Sequence, residues 1–179
     1  MRRGNAVPAV VQVLAIVVAF LAGGVVGGLL WERWWTPPTG VALSGVLVLD
    51  GDGAAKEFSG TGLYVLVGLG VGVVLGLLTA LACRRRELLA MVAAVLAAGL
   101  AAWVMAQVGH ALGPPDPTPL AKGAEDLTEV VPDLRVHGLS PYLALPVGTL
   151  LGLMGEYFGE SRLLAKRSPS RSEMDTLTT

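Results

Sequence analysis

Three long stretches of the chain contain no Asp, Glu, Lys or Arg: 9–31, 62–83 and 88–112. In the first, the only clearly polar side chain is Gln12. Each stretch holds 22 to 25 residues. At about 1.5 Å per residue, a helix of that length crosses a hydrocarbon core about 30 Å thick. The pattern therefore predicts transmembrane helices over 9–31, 62–83 and 88–112. A fourth stretch, LSPYLALPVGTLLGLMGEYF at 139–158, has Pro146 in its middle and Glu156 near its end. Taken alone it also reads as a re-entrant segment or a buried soluble helix, but the charge distribution favours a fourth span. The expected fold class is an all-α membrane protein: a four-transmembrane-helix bundle with a small extracytoplasmic cap that includes short β-strands.

The connecting segments, 32–61 and 113–138, carry turn signals. GVALSGVLVL, then DGDG at 50–53, then AAKEFS reads as strand, turn and strand. DGDG resembles the opening of a calcium loop, but Thr61 stands where that loop needs its final carboxylate. In the second connector, Thr118-Pro119 is a helix start, with a capping residue followed by Pro at the first helical position. LTEVV and LRVH, on either side of Pro132-Asp133, read as short strands. The segment 161–179, rich in Ser, Thr and charge, is expected to be a disordered cytoplasmic tail. The first apolar block follows a basic start but far exceeds the ~7–15 residues of a signal-peptide core, so it reads as an uncleaved anchor.

Composition agrees with membrane residence. Hydrophobic residues make up 53% of the 179, above the roughly 45–50% of soluble domains. Charge then sets direction. Arg84, Arg85 and Arg86 cannot lie in the bilayer core, where each would cost roughly 2.5–3.5 kcal/mol, so 84–86 is a turn in water. With four spans, this turn and both termini share one side, which collects nine basic and five acidic residues. The other side collects four basic and nine acidic residues. The positive-inside rule places the first side in the cytoplasm of a cell membrane. Trp31, Trp34, Trp35, Tyr64 and Tyr142 all fall at the outer ends of spans, as an aromatic belt would.

Small residues recur at a spacing of four in every span: Gly23 with Gly27, Gly24 with Gly28, Gly68 with Gly72 and Gly76, Ala94 with Ala98 and Ala102, and Gly148 with Gly152. Helices in lipid associate through such close approach. An intramolecular bundle accounts for all of them, and a homo-oligomer using one glycine face is the alternative. The order of features is also familiar. It runs from a basic start and a Trp-rich exit through a Gly-striped second span and an Arg-rich turn to VGHALGPPDP at 108–117 and a final Pro-containing span. Over roughly 10–158 the chain resembles an actinobacterial family of small four-span membrane proteins of unknown function. The resemblance implies four spans and a cytoplasmic-membrane location, and it brings no catalytic residues.

Candidate chemistry is sparse. The lone Cys83 excludes mechanisms that need a cysteine pair. The run of arginines has no interleaved aromatics, so no nucleic-acid partner is expected, and no cofactor or metal site is assigned. His110 lies in the last turn of the third helix, where a cation is favoured. With Asp116 and His137 it forms a candidate polar contact at the outer rim. That contact could bind zinc or pin the cap to the bundle in a proton-sensitive way; without spacing such as HExxH, the second is preferred. The expected partners are the lipid bilayer and either a protein partner or a second copy in the membrane. The expected function is a non-enzymatic scaffold or accessory subunit of cell-envelope machinery. The alternative, a small transporter or channel subunit, has only Gln12, Thr79, Gln107, Thr149 and Glu156 to line a path.

Overall fold

A computed structural model describes residues 8–38, 40–49, 51–83, 86–123, 125, 127–136 and 138–167. Five helices carry the chain: α1 (Ala9–Trp34), α2 (Gly51–Ala82), α3 (Glu87–Leu112), the short α4 (Pro117–Gly123) and α5 (Ala144–Arg167). Between them lie β1 (Gly40–Leu43), β2 (Val46–Leu49) and β3 (Glu129–Val130), and a 3-10 turn at Ser140–Leu143 precedes α5. Among the described residues, three helical stretches are long and apolar enough to cross a membrane: α1, the Phe58–Ala82 part of α2, and the one that contains α3.

Their side chains are distributed as lipid demands. The face that α3 turns inward is built of Ala90, Ala94, Ala97, Ala98, Ala101 and Ala102, all buried. Leu88, Val92, Leu96 and Trp103 of the same helix point outward. A soluble domain would bury the large side chains and would not expose so broad an apolar surface. Small residues inside and large ones outside let backbones approach, an arrangement compatible with a membrane protein.

Helix pairing does not follow chain order. The most extensive packing joins α1 to α3 and α2 to α5. Gly24 faces Ala101 and Gly28 faces Met105, so α1 and α3 run in the same direction. Gly72 faces Leu145 and Gly76 faces Thr149, so α2 and α5 are parallel too. The two pairs meet through α1 with α2 and α3 with α5.

Several boundaries differ from the sequence reading. The hairpin closes at Ser44-Gly45, not at DGDG, and pairs Val41 with Val48 inside the segment read as one strand. Both turn residues have positive φ, +50° and +77°, which is the twist that suits a two-residue antiparallel turn. AAKEFS is helix, because α2 starts at Gly51 and Ala, Lys and Glu are good helix formers. With 32 residues, α2 is about 48 Å long, so its polar first turns extend beyond a core about 30 Å thick. In the second connector, β3 pairs with β1, giving the order β2-β1-β3 with Val41 opposite Glu129. LTEVV thus supplies only a two-residue strand, and the described part of LRVH, 134–136, forms none.

Two prolines sit differently from expectation. Pro117, not Pro119, opens α4, and Asp116, not Thr118, caps it by accepting the Thr118 amide at 2.9 Å. Pro146 lies in the first turn of α5, not in mid-helix. There a missing amide donor costs nothing, because the first four N–H groups of a helix have no partner within it. Residues 161–167, expected in the disordered tail, continue α5 to Arg167; 168–179 lie outside the described residues.

Candidate functional site

The end of the bundle where α1 finishes and α5 begins is organised by aromatic rings. Trp31 is fully buried, and its indole N–H donates to the Gly60 carbonyl at 2.8 Å. Its ring meets Tyr64 edge-on with centroids 5.1 Å apart, and Tyr64 meets Tyr142 at 5.8 Å. The Tyr64 hydroxyl donates to the Ala102 carbonyl at 2.6 Å. This chain of contacts ties α1, α2, α3 and the turn before α5 together. Trp31 and Tyr64 are therefore core residues rather than part of an aromatic belt. Their polar tips find acceptors inside the protein, as buried Trp and Tyr require. Trp34 does face outward.

Beyond the rings, the segment 133–136 is clamped to the end of α3. Leu134 is buried, and it lies against Gly113, where an added Cβ would come within 2.8 Å of Leu134 Cβ. His110 Nδ1 is 3.1 Å from the Leu134 carbonyl. A carbonyl only accepts, so Nδ1 is the donor, and the bond holds in both the neutral and the charged ring. Asp133 Oδ2 is 4.0 Å from the same nitrogen. Arg135 Nε lies 2.7 Å from Asp133 Oδ2 as an ion pair without the angles of a directed hydrogen bond. His110 thus touches Leu134 and Asp133 directly, and Asp116 meets it only as a nearby charge. His137 lies outside the described residues. Asp116 is an exposed helix cap, and the hydroxyl and amide of Thr118 hold its carboxyl below the usual carboxylate range, with smaller help from Arg135 and His110. Among the described residues, no three His, Cys, Asp or Glu side chains are placed to hold a metal.

The glycines singled out in the sequence fall into two classes. Gly72 and Gly76 of α2 pack against α5, and Gly148 and Gly152 of α5 against α2, with backbone against backbone. An added Cβ at these positions would overlap the carbonyl oxygens of Leu145, Thr149, Leu69 and Val73 respectively. Gly23, Gly27 and Gly68 are less constrained: their nearest neighbours are the ends of Leu75 and Met105 and, at 3.7 Å, Ala144. On α1 the closer approach belongs to Gly24 and Gly28. A Cβ on Gly28 would lie 2.7 Å from the Met105 carbonyl oxygen. Thr79 and Thr149 return their hydroxyls to Leu75 and Leu145 in their own helices, at 2.7 and 2.9 Å.

The α2–α5 contact is reciprocal: Gly72 meets Leu145 while Gly148 meets Leu69, and Gly76 meets Thr149 while Gly152 meets Val73. Each relation maps onto its counterpart at one fixed offset. The sequences at that offset are VGVVLGLL (71–78) and VGTLLGLM (147–154), identical at five of eight positions. Self-comparison of the sequence would have found this repeat; a search for spaced glycines does not. Comparison of the whole chain with family models, curated proteins and solved structures gives no match.

Proposed function

We propose that this chain is a non-enzymatic scaffold or accessory subunit in the cytoplasmic membrane. It has four spans and both termini in the cytoplasm, as the resemblance to small actinobacterial four-span proteins implies. The observation that carries this reading is the backbone-to-backbone packing of both parallel helix pairs. Such contacts make a rigid frame, because neither carbonyl nor Cα can yield as a side chain can. The polar groups of Trp31 and Tyr64 are taken up in joining helices, and those of Thr79 and Thr149 in bonds within their own helices. The outward faces are apolar and available to lipid or to another membrane protein. A fourth span is supported by the partner of α5: a helix in backbone contact with α2 along Gly72–Gly76 shares its depth.

Affinity purification of the tagged full chain in mild detergent, followed by identification and quantification of co-purifying proteins, tests the scaffold role. The expected result is a membrane partner at a fixed stoichiometry. The repeat at 71–78 and 147–154 favours a second reading, a small transporter, since internal repeats recur in transporter folds. That reading predicts a self-oligomer with a continuous polar lumen and no fixed partner. A chain that purifies as a lone monomer overturns both.

A further inference from the structure

The α1–α2 contact leaves a groove along the outside of the bundle. The half of it near the start of α1 has a volume of about 390 Å³ and is walled by Ala15, Ala19 and Leu78, with Gln12, Thr79 and Cys83 at its end. Its long wall suits a hydrocarbon chain. Its end does not. Gln12 Nε2 is out of solvent and has no hydrogen-bond acceptor. A buried amide donor without an acceptor is costly, and hydrocarbon tails cannot supply one.

Charge lies near the same end of the groove. CRRRE, at 83–87, is the densest cationic run of the chain. Arg86 is exposed at the start of α3, with no side-chain capping bond. It is three residues from Cys83, so their Cα atoms are no more than about 11 Å apart. Gln12 is in the first turn of α1 and Cys83 directly follows α2, which puts the polar end of the groove where the helices leave the hydrocarbon. Basic pockets between spans on the cytoplasmic side hold anionic lipid head groups.

We propose that this half-groove is a binding site for one anionic phospholipid of the cytoplasmic leaflet. Its acyl chain lies along Ala15, Ala19 and Leu78. Its ester oxygens accept from the Gln12 amide, which turns about its loosely restricted terminal torsion, and Arg86 pairs with its phosphate. The proposal rests on the four-span topology with cytoplasmic termini.

The test uses the full chain purified in mild detergent, with native mass spectrometry and thermal unfolding in added phosphatidylglycerol or phosphatidylcholine of the same acyl chains. The wild type should retain one phosphatidylglycerol and be stabilised by it more than by phosphatidylcholine. Ala19→Phe fills the groove from an outward-facing position, and Arg86→Gln removes the exposed charge. Each should weaken phosphatidylglycerol retention about tenfold or more, the scale of one charged hydrogen bond, while unfolding without lipid stays at the wild-type temperature. Equal retention of the two lipids by the wild type, or unchanged retention in both variants, overturns the site. Resistance of the chain to carbonate extraction from membranes is measured separately. Release by carbonate overturns the membrane reading on which the site rests, whereas a chain that resists extraction but does not select lipid overturns only the site.

Discussion

Gly72 and Gly99 both lie in the apolar helices, yet they are opposite cases. A Cβ on Gly72 would run into the Leu145 carbonyl of α5, whereas one on Gly99 would meet nothing within 4 Å. Gly72→Leu should therefore destabilise the protein by roughly 1–3 kcal/mol or more, since a carbonyl oxygen cannot move aside as a side chain does. Gly99→Ala should leave stability unchanged or raise it by up to ~1 kcal/mol, through better helix propensity. Thermal unfolding of both variants in one detergent checks the pair; equal effects would mean that α2 and α5 are not in backbone contact. Asp116 gives a pH-dependent case. Its carboxyl is held below the usual range by Thr118, so it stabilises the fold while ionised and loses that effect as pH falls through its depressed value. Asp116→Ala should be less stable than wild type at neutral pH, and the gap should close in acid below the ordinary carboxylate range. A gap that stays constant from neutral pH to pH ~2 would remove Asp116 as an ionised cap.

For the elements, the apolar stretches were legible in the sequence because lipid imposes a length and excludes charge. Three helices duly meet that requirement. The outer segments were harder to read, because short strands and turns leave weak signals. The sequence points to the Gly-rich DGDG as the turn, yet only Ser44 and Gly45 place two consecutive residues at positive φ among the described residues. Gly45→Val should cost about 1–2 kcal/mol, because a β-branched residue is poorly tolerated at φ +77°. Faster hydrogen exchange at Val41 and Val48 would show the loss locally. Unchanged exchange would mean that the hairpin does not depend on this turn. Helix partners were illegible for another reason: a spaced pair of glycines states that something approaches closely and is silent about what. His110 was recognised as a polar contact at the end of α3. Its partner, the Leu134 carbonyl, is a backbone atom, and no side-chain pattern announces one.

At the level of the whole molecule, the topology proposal is open to a direct check. Reporter domains active only outside the cytoplasm should work when fused at Gly45 and Glu125, in the segments between spans. They should fail at Glu87 and Ser170. Activity at Ser170 would remove the fourth span and with it the charge argument, which relies on placing Arg162, Lys166 and Arg167 inside.

Parallel pairing also constrains the order of synthesis. Two helices that run the same way across a membrane cannot be consecutive spans. Gly24 therefore waits for Ala101, and Gly72 and Gly76 wait for Leu145 and Thr149. On the proposed topology, the glycine faces of α1 and α2 stay uncovered as the chain emerges from the ribosome, until α3 and α5 arrive. A nascent chain halted before 144 would thus hold three apolar helices with the glycine seam of α2 still open.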